Sequence, residues 1–376
     1  MNGKIQLGMV GGGAGSFIGP VHRIAARMTD EYELVAGVFS SKPEKSMSFA
    51  KQLGIVENRA YADWKKMLSA EQNRTDGIEV VAIMTPNDTH FPIAKAFLEA
   101  GVHIICDKPL CNTIENAQYL RDATDKSDRV FCVTYNYSAY PMVKQARAMV
   151  ANGDIGDIRQ VQLTYVQGNL ASYSPSEEKS WRLTDQGGAS LVLSDIATHA
   201  FHLGEYVTRT EIEQIYAEVD TTVPQRSADD YVSCLLRFKN GAKGTLWVTN
   251  AAAGAEHGLG FKIFGSQGGL EWHQEQPNEL RHRSLHDFER ILTRRKDGKL
   301  YSQAENSVFL EFGHPEGYNE AFSNLYQETA TAIRQVQQGE KVQFPDGFPN
   351  AIAGERGVRF IHTCLISNAT QKWCYL

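Results

Sequence analysis

A carboxylate and an imidazole stand four residues apart in this sequence, at Asp195 and His199. In a predicted helix that starts near Ala189, this spacing puts both side chains on one face, one turn apart. Such a pair can do acid–base chemistry, because the carboxylate orients a substrate and raises the basicity of the imidazole, which takes a proton near neutral pH. An ordinary helix contact is the alternative, since the same spacing also produces it.

A lysine stands where a predicted strand ends, in Asp107-Lys108-Pro109 after residues 102–106. A cation at this place can hold a substrate hydroxyl and lower the free energy needed to remove its proton. Because proline restricts the backbone of the residue before it, the ammonium group of Lys108 would be aimed at one place. A solvated lysine on a surface loop is the alternative.

The other histidines and cysteines give no clear metal motif. A zinc site at Asp195, His199 and His202 has suitable spacing but lacks a fourth ligand motif. His202 is followed by Leu203, so we assign it to core packing. The six cysteines include no C-x-x-C pair and mostly lie in apolar surroundings, which indicates reduced core thiols. We therefore expect neither a metal nor a disulfide framework.

The elements that would position these groups begin at a glycine-rich turn. An apolar run over residues 5–10 is followed by five glycines between positions 11 and 19 and then by a predicted helix. Strand, tight turn and helix in this order bind a dinucleotide pyrophosphate, which the helix N-terminus attracts. Gly11 would form the turn, and Gly13 would let the backbone approach the phosphates.

The third position of this glycine pattern is irregular. It falls on Ser16, or on Gly19 if three residues are inserted. A glycine-rich turn without a ligand is the alternative. We expect the turn to contact the cofactor through Gly11, Gly13, Ser16, Phe17 and Ile18.

The end of the second predicted strand, residues 34–39, bears on the choice of cofactor. It is followed by Ser40, Ser41 and Lys42, with no acid to hold the ribose hydroxyls of NAD. These residues suit the 2′-phosphate of NADP without excluding NAD, so both cofactors stay open.

The strand predicted over residues 78–85 ends in a polar run that starts the next helix. Ligands bind at the carboxyl ends of parallel strands, so Thr85, Asn87 and His90 are candidates for the nicotinamide side of the site. Asp88 and Thr89 in the same run are equally suited to cap the helix.

The length of the chain predicts two domains, because 376 residues exceed what one core usually holds. Residues 1–134 follow a six-strand β/α pattern typical of a dinucleotide-binding domain. Residues 135–376 follow an α+β pattern with a mostly antiparallel sheet and helices on one side, including a tight hairpin at Asn240-Gly241. We expect residues 274–317 to be irregular and two final helices to cover 318–338 and 351–368.

Composition excludes some classes of partner. The net charge of -6 gives no general electrostatic basis for binding nucleic acid or an anionic membrane. No run approaches the roughly 18 apolar residues of a membrane span. From these patterns we expect a soluble cytoplasmic protein that binds neither nucleic acid nor membrane.

Together these motifs resemble the Gfo/Idh/MocA oxidoreductase family. The resemblance rests on the Gly11–His22 turn, the run from Thr85 to His90, Asp107-Lys108-Pro109 and Asp195-x-x-x-His199, although the family more often has Glu before Lys-Pro. It implies an α/β chain with an N-terminal Rossmann domain, a doubly wound parallel sheet, and a C-terminal α+β domain with an open-faced sheet. That exposed sheet would form a homodimer or homotetramer contact.

The resemblance also implies a reaction, namely hydride transfer between NAD or NADP and a carbinol carbon of a polyhydroxylated sugar, cyclitol or glycoside. Lys108 and His199 would assist proton transfer and contact the substrate, and Asp195 would position it. Asn87 and Asp107 would lie near the nicotinamide ribose, with Lys108 beside the ring.

Trp181 and Arg182 fit a pocket wall, because a Trp face stacks on a pyranose and an Arg binds hydroxyl or carboxylate. A packed loop anchor is the alternative for this pair. Two other functions remain alternatives for the whole chain: an NAD-dependent glycoside hydrolase that uses transient oxidation, and a dinucleotide-binding regulator without catalysis.

Overall fold

The computed structural model describes residues 3–175, 180–295 and 300–376. The chain forms two compact units. The first unit comprises the chain up to Thr134 together with Phe322–Glu355, and the second comprises Tyr135–Ala321 and Arg356–Leu376. The segment Phe322–Glu355 therefore does not belong to the second domain, contrary to the expectation from the sequence, because no local pattern reveals that a late segment returns to the first.

The first unit alternates strands and helices. Its strands are β1 (Ile5–Gly11), β2 (Tyr32–Val38), β3 (Val80–Met84), β4 (His103–Cys106) and β5 (Phe131–Val133). The helices between them are α1 (Ile18–Met28), α2 (Pro43–Gln52), α3 (Trp64–Glu71), α4 (Asn87–Glu99) and α5 (Ile114–Asp125).

These strands form one parallel sheet in the order β2-β1-β3-β4-β5. All five residues of β3 are buried, as a central strand covered on both faces requires. The expectation of six strands is wrong for the described residues, because the sheet has five. Next to its edge strand β2, only an isolated bridge between Gly37 and Ala60 forms. A single bridge does not extend into a strand, and the chain there folds into short helices instead.

The second unit begins with α6 (Pro141–Asn152), which ends at Gly153 with a left-handed φ of 80°. Further helices follow as α7 (Thr198–Thr208), α8 (Ser302–Glu305), α9 (Tyr318–Gln337) and α10 (Ala351–Thr370). Its strands are β6 (Ile158–Val166), β7 (Ile212–Asp220), β8 (Tyr231–Phe238), β9 (Lys243–Thr249), β10 (Gly258–Gly265), β11 (Gly268–His273), β12 (Glu279–Ser284), β13 (Arg290–Thr293) and β14 (Cys374–Tyr375). Helix α9 continues into the first unit, where α10 begins.

A nine-stranded sheet organises the second unit, in the order β13-β12-β11-β10-β6-β9-β8-β7-β14. Its pairs are antiparallel except for β6 with β9. The predicted hairpin at Asn240-Gly241 joins β8 to β9, and Gly241 takes the positive φ of 88° that such a turn requires. The expectation that residues 274–317 are irregular is wrong, because β12 and β13 form a hairpin that extends the sheet at its edge.

One face of this sheet carries the core of the second unit. In β10, Leu259, Phe261 and Ile263 are buried, whereas Lys262 and Phe264 on the opposite side of the strand are more exposed, as a strand with one covered face predicts. Helices α6, α7 and α10 supply apolar side chains to the same core, and the rings of Phe201 and Phe360 stack there at 4.5 Å between centroids. Burying each such ring contributes roughly 1.5–3 kcal/mol.

Candidate active site

The glycine-rich turn after β1 is packed so closely that side chains cannot replace its glycines. A Cβ on Gly11, where φ is +96°, would lie 2.3 Å from the carbonyl oxygen of Met84. A Cβ on Gly13 would lie 2.0 Å from the carbonyl oxygen of Phe39. Because only glycine fits at these positions, the backbone of the turn can pack directly against the ends of the neighbouring strands, as a phosphate-binding turn must.

Helix α1 starts at Ile18, and Gly19 makes the close helix–turn contact. A Cβ on Gly19 would lie 2.1 Å from the carbonyl oxygen of Gly12. The backbone N–H of Gly19 donates to Oγ of Ser16 at 3.1 Å, so Ser16 caps the first turn of the helix. The sequence left Ser16 and Gly19 open as the third position of the glycine pattern. Of these two residues, Gly19 makes the close packing contact.

The outer side of this turn fits a dinucleotide. Phe17 is 75% exposed, and a Cβ on Gly15 would have no atom within 4 Å. This open side adjoins the N-terminus of α1, whose backbone N–H groups and dipole favour a pyrophosphate. The exposed side of the turn at Gly15 and Phe17 therefore leaves room for the cofactor, while Gly13 lets the turn pack against the Phe39 carbonyl.

The loops after β2 and β3 carry the other predicted cofactor residues. Oγ of Ser40 accepts the backbone N–H of Lys42 at 3.1 Å, and Ser41 is exposed. The Thr85 hydroxyl accepts from the hydroxyl of Thr89 at 2.7 Å. Asn87 is buried and is the first residue of α4.

His90 braces two loops of the first unit. It is 1% exposed, and its ring nitrogens lie 2.9 Å from the carbonyl oxygens of Pro109 and Thr85. Burial lowers the pKa of His90, which favours the neutral ring. Through these contacts His90 supports the two loops. A direct contact of His90 with nicotinamide stays a prediction.

Asp107 is held by two side chains that the sequence analysis gave no role. Its carboxylate accepts from Nε2 of His22 at 3.0 Å and from the hydroxyl of Thr134 at 2.6 Å. Burial raises the pKa of the Asp107 carboxyl, but His22 and the hydrogen bond from Thr134 outweigh it, so the pKa lies below its ordinary value. The next residue, Lys108, is half-buried. His22 fixes the carboxylate from the helix that follows the glycine turn.

The parallel sheet brings three of the predicted segments to one edge. Strands β1, β3 and β4 are neighbours in the order β1-β3-β4, and all run in the same direction. Their carboxyl ends lead into the glycine turn, into the Thr85–Asn87 run and into Asp107-Lys108. The predicted cofactor residues and the candidate catalytic lysine thus follow one edge of the sheet, where ligands bind in this class of fold.

In the second unit, Asp195 lies on a π-helical turn and not on the α-helix predicted from residue 189. The turn covers Leu193–Ala197, and α7 begins directly after it at Thr198. Such turns are rare and occur frequently at functional sites, where they change the direction of a side chain. The side chain of Asp195 is 32% exposed, and Nε of Arg182 lies 3.7 Å from its Oδ1.

Three tyrosine rings surround the imidazole of His199, which is 8% exposed. Its ring centroid lies 4.8 Å from that of Tyr137, 5.8 Å from that of Tyr135 and 6.3 Å from that of Tyr165. The rings of Tyr135 and Tyr137 meet it edge to face. These tyrosines are not among the site residues predicted from the sequence, because they come from the loop after β5 and from β6, and nothing in the sequence links them to His199.

His202 packs in the core of the second unit, where the sequence analysis assigned it. Its ring stacks on Tyr135 with 4.2 Å between centroids and 6° between the planes. Burial, together with the charge of Arg147, lowers the pKa of His202 to about 3. Among residues 3–175, 180–295 and 300–376, no group of three or more His, Cys, Asp or Glu side chains could hold a metal ion.

The predicted wall pair Trp181 and Arg182 forms a short 3-10 turn. The guanidinium of Arg182 lies over the Trp181 ring at 4.6 Å from its centroid. The Arg182 side chain is 49% exposed and also faces Asp195. The pair therefore lies next to Asp195, one of the candidate acid–base residues of the second unit.

Comparison with known proteins gives consistent matches along the chain. Residues 5–135 match the model of an oxidoreductase family with an NAD-binding Rossmann fold, and residues 143–271 match the GFO/IDH/MocA C-terminal domain. The uncharacterized oxidoreductase YfiI of Bacillus subtilis is 35% identical over 98% of this chain and 96% of that protein. Levoglucosan dehydrogenase of Pseudarthrobacter phenanthrenivorans is 30% identical over 74% of this chain and 75% of that protein.

A solved structure agrees in fold with the whole chain. The inositol dehydrogenase homolog of Azotobacter vinelandii, complexed with NADH and myo-inositol, has a TM-score of 0.92 and 36% identity. The match covers 99% of this chain and 98% of that one. The α/β class and the expected pair of sheets, one parallel and one mostly antiparallel, are confirmed. No described helix has the length and apolar character needed to cross a bilayer.

Proposed function

Because this chain belongs to the Gfo/Idh/MocA family of NAD-binding oxidoreductases, we propose that it is a dehydrogenase of sugars, cyclitols or glycosides. The observation that carries the proposal is the common edge of β1, β3 and β4, which a cofactor turn and Lys108 both follow. Two relatives support the substrate class, since one is named for levoglucosan and another contains myo-inositol. Both compounds are rings with several hydroxyl groups.

The proposed reaction oxidises one carbinol carbon to a carbonyl. Gly11, Gly13 and the first turn of α1 would hold the pyrophosphate of NAD⁺, which when bound would supply the hydride acceptor at C4 of its nicotinamide. His199 takes the proton of the substrate hydroxyl at a ring nitrogen, and the C–O bond becomes C=O as the hydride leaves. Lys108 holds the oxygen of that hydroxyl and favours the loss of its proton, while Asp195 accepts a hydrogen bond that fixes the ring.

The test is a screen of the purified protein with polyols, aldoses and glycosides and with NAD⁺ and NADP⁺, followed at the absorbance of the reduced cofactor. We expect turnover with myo-inositol, levoglucosan or a related ring compound. Lys108→Ala and His199→Ala should each lower kcat by about 100- to 10,000-fold, the range of a lost acid–base group, while NAD⁺ binding persists. Unchanged turnover in either variant would contradict the catalytic assignment.

The same screen separates the other functions. A glycoside hydrolase with transient oxidation would release sugar from a glycoside without net formation of reduced cofactor. A regulator without catalysis would bind NAD⁺ and turn over none of the compounds.

We further propose that the exposed face of the nine-stranded sheet joins copies of this chain into a homodimer or homotetramer. Leu235, Trp247 and Phe264 lie on strands β8, β9 and β10 and are 51%, 45% and 39% exposed. Large apolar side chains grouped on one face mark an interaction surface more often than a solvated one. Light scattering of the wild type and of Leu235→Glu/Trp247→Glu should give an oligomer and a monomer respectively. A monomeric wild type would contradict this proposal.

We also propose the cytoplasm as the site of action. All six cysteines are free thiols, five of them buried, and thiols persist in reducing compartments. Cell fractionation with an antibody to the chain tests this location.

A further inference from the structure

Another histidine of the second unit, His257, is linked to two of the tyrosines that surround His199. Its Nε2 lies 2.6 Å from the hydroxyl of Tyr165 and 2.9 Å from the hydroxyl of Tyr137. The two hydroxyls lie 2.8 Å from each other. Nε2 of Gln167 donates to Nδ1 of His257 at 2.8 Å. These four side chains form one continuous hydrogen-bonded cluster.

Gln167 determines which nitrogen of His257 carries the proton. Because the amide donates to Nδ1, the neutral imidazole must carry its proton on Nε2 and donate it to the tyrosine hydroxyls. Burial lowers the pKa of His257, against the opposing effect of Glu275 and Asp195, and burial raises the pKa of both tyrosines. The cluster is therefore neutral at neutral pH, and either of the two tyrosine hydroxyls can donate to the other.

The cluster fixes two of the three rings around His199. The rings of Tyr137 and Tyr165 are tethered through their hydroxyls, whereas the buried hydroxyl of Tyr135 has no hydrogen-bond partner in the described part of the chain. Tyr135 and Tyr137 nevertheless meet the imidazole at nearly the same angle, 86° and 85° between planes. The two tyrosines thus form a natural pair of test and control.

We propose that His257 is a positioning residue for His199. Through the hydroxyls of Tyr165 and Tyr137 it holds two tyrosine rings against the imidazole and so fixes the plane in which His199 meets its substrate. Tyr137 meets the imidazole edge to face, and Tyr165 lies tilted to it at 60° between planes. Contacts between aromatic rings contribute about 0.5–1.5 kcal/mol each and depend on angle, so tethered rings restrict the imidazole more than free ones. The catalytic consequence rests on the proposed function, but the orientation of His199 does not.

The first experiment measures orientation without any substrate. Protein labelled with ¹³C in its 11 histidines gives ring signals, and the His199 signal is identified by its absence in His199→Gln. We expect that signal to shift or split in His257→Leu and in Tyr137→Phe, which keeps the ring but loses the tether. The His199 signal should stay unchanged in Tyr135→Phe. An unchanged His199 signal in both His257→Leu and Tyr137→Phe, or an equal change in Tyr135→Phe, overturns the proposal.

The second experiment uses the full chain with NAD⁺ and the best substrate of the screen. His257→Leu and Tyr137→Phe should lower kcat by about 10- to 100-fold, as small misplacements of catalytic groups do, with KM within about twofold. His257→Gln should recover much of kcat, because its amide can still donate to the hydroxyls. A rise in KM with unchanged kcat would instead show that His257 contacts the substrate itself and would overturn the positioning role.

The two experiments separate the two proposals. If no compound is turned over, the proposed function fails while the ring signals still decide the orientation of His199. If turnover is found but Tyr137→Phe and His257→Leu leave both kcat and the His199 signal unchanged, the positioning role alone fails. Circular dichroism establishes that each variant is folded, and Tyr137→Phe provides the test if His257→Leu does not fold.

Discussion

Nε2 of His22 donates a hydrogen bond to the carboxylate of Asp107 at 3.0 Å, so the helix after the glycine turn is tied to the residue before Lys108. The other ring nitrogen of His22 lies 2.8 Å from the hydroxyl of Tyr326. His22 is 0% exposed, and its ring also meets Phe322 edge to face at 4.9 Å. One buried imidazole thus links the cofactor turn, the candidate catalytic loop and the late segment of the first unit.

The first prediction concerns this link. His22→Phe keeps a ring in place but removes both hydrogen bonds, so we expect a loss of about 2–3 kcal/mol in the free energy of unfolding of the first unit. Tyr326→Phe removes only one neutral hydrogen bond and should cost about 1 kcal/mol. Urea unfolding at pH 7 measures both values. An equal loss in the two variants would show that the hydrogen bond from His22 to Asp107 contributes nothing to stability.

The pH dependence of this link follows from the lowered pKa of Asp107. A carboxyl whose pKa is lower in the folded than in the unfolded chain stabilises the fold above its unfolded pKa of about 3.9. That contribution disappears as the pH falls through the folded pKa. The difference in stability between wild type and His22→Phe should therefore be constant from pH 7 to about 5 and shrink below about 4. A difference that persists at lower pH would contradict a role for the ionised carboxylate.

The second prediction concerns the cofactor turn. Gly13→Ala places a methyl group where the Phe39 carbonyl oxygen lies 2.0 Å away, so the turn or the end of β2 must move. Such overpacking costs about 1–3 kcal/mol, and we expect NAD⁺ to bind about 10-fold more weakly or worse. Calorimetric titration measures the affinity. Gly3→Ala is the control, because its methyl group would have no atom within 4 Å, and a similar loss there would refute the explanation.

The sequence predicted those parts of the fold whose signals are local. The glycine turn, the buried strand β3 and the Asn240-Gly241 hairpin each carry their own pattern within a few residues. Asp107-Lys108 was recognised for the same reason, since a strand and a proline frame it.

Other features of the site depend on contacts between distant residues, and no local pattern carries them. His22 and Asp107 are separated by 85 positions, and Tyr137 and His257 by 120. The helical period of 3.6 predicted one face for Asp195 and His199, but it does not reveal the π-helical turn at Leu193–Ala197. A π-helical turn holds one more residue than an α-helical turn, and no particular residue type marks it in the sequence.

The third prediction concerns the acid stability of the second unit. Because burial lowers the pKa of His202 to about 3, folding favours the neutral ring, and stability is lost as the pH falls below the unfolded histidine value of about 6.5. His202→Phe keeps an aromatic ring against Tyr135 and removes this titration. Between pH 7 and pH 5, the wild type should lose about 2 kcal/mol more than His202→Phe in denaturant unfolding. The exposed His286→Phe is the control and should follow the wild type.

The fourth prediction concerns the proposed substrate wall. Arg182 lies over Trp181 and faces Asp195, so a substrate hydroxyl or carboxylate held there would lose its partner in Arg182→Ala. We expect KM to rise about 10-fold with little change in kcat, the result of losing one charge-assisted hydrogen bond that binds substrate and transition state alike. Arg182→Lys should recover only part of the affinity, because an ammonium group lacks the planar fork.

The second unit offers a matched control for this prediction in Arg237, whose guanidinium lies 4.0 Å from the centroid of the Trp373 ring. Arg237→Ala removes an Arg–Trp contact of the same kind from a different part of the nine-stranded unit, so it tests whether loss of packing alone changes KM. Steady-state kinetics of Arg182→Ala, Arg182→Lys and Arg237→Ala with the same substrate should separate the three. If Arg237→Ala raises KM as much as Arg182→Ala, the Trp181–Arg182 pair anchors its loop and does not bind the substrate.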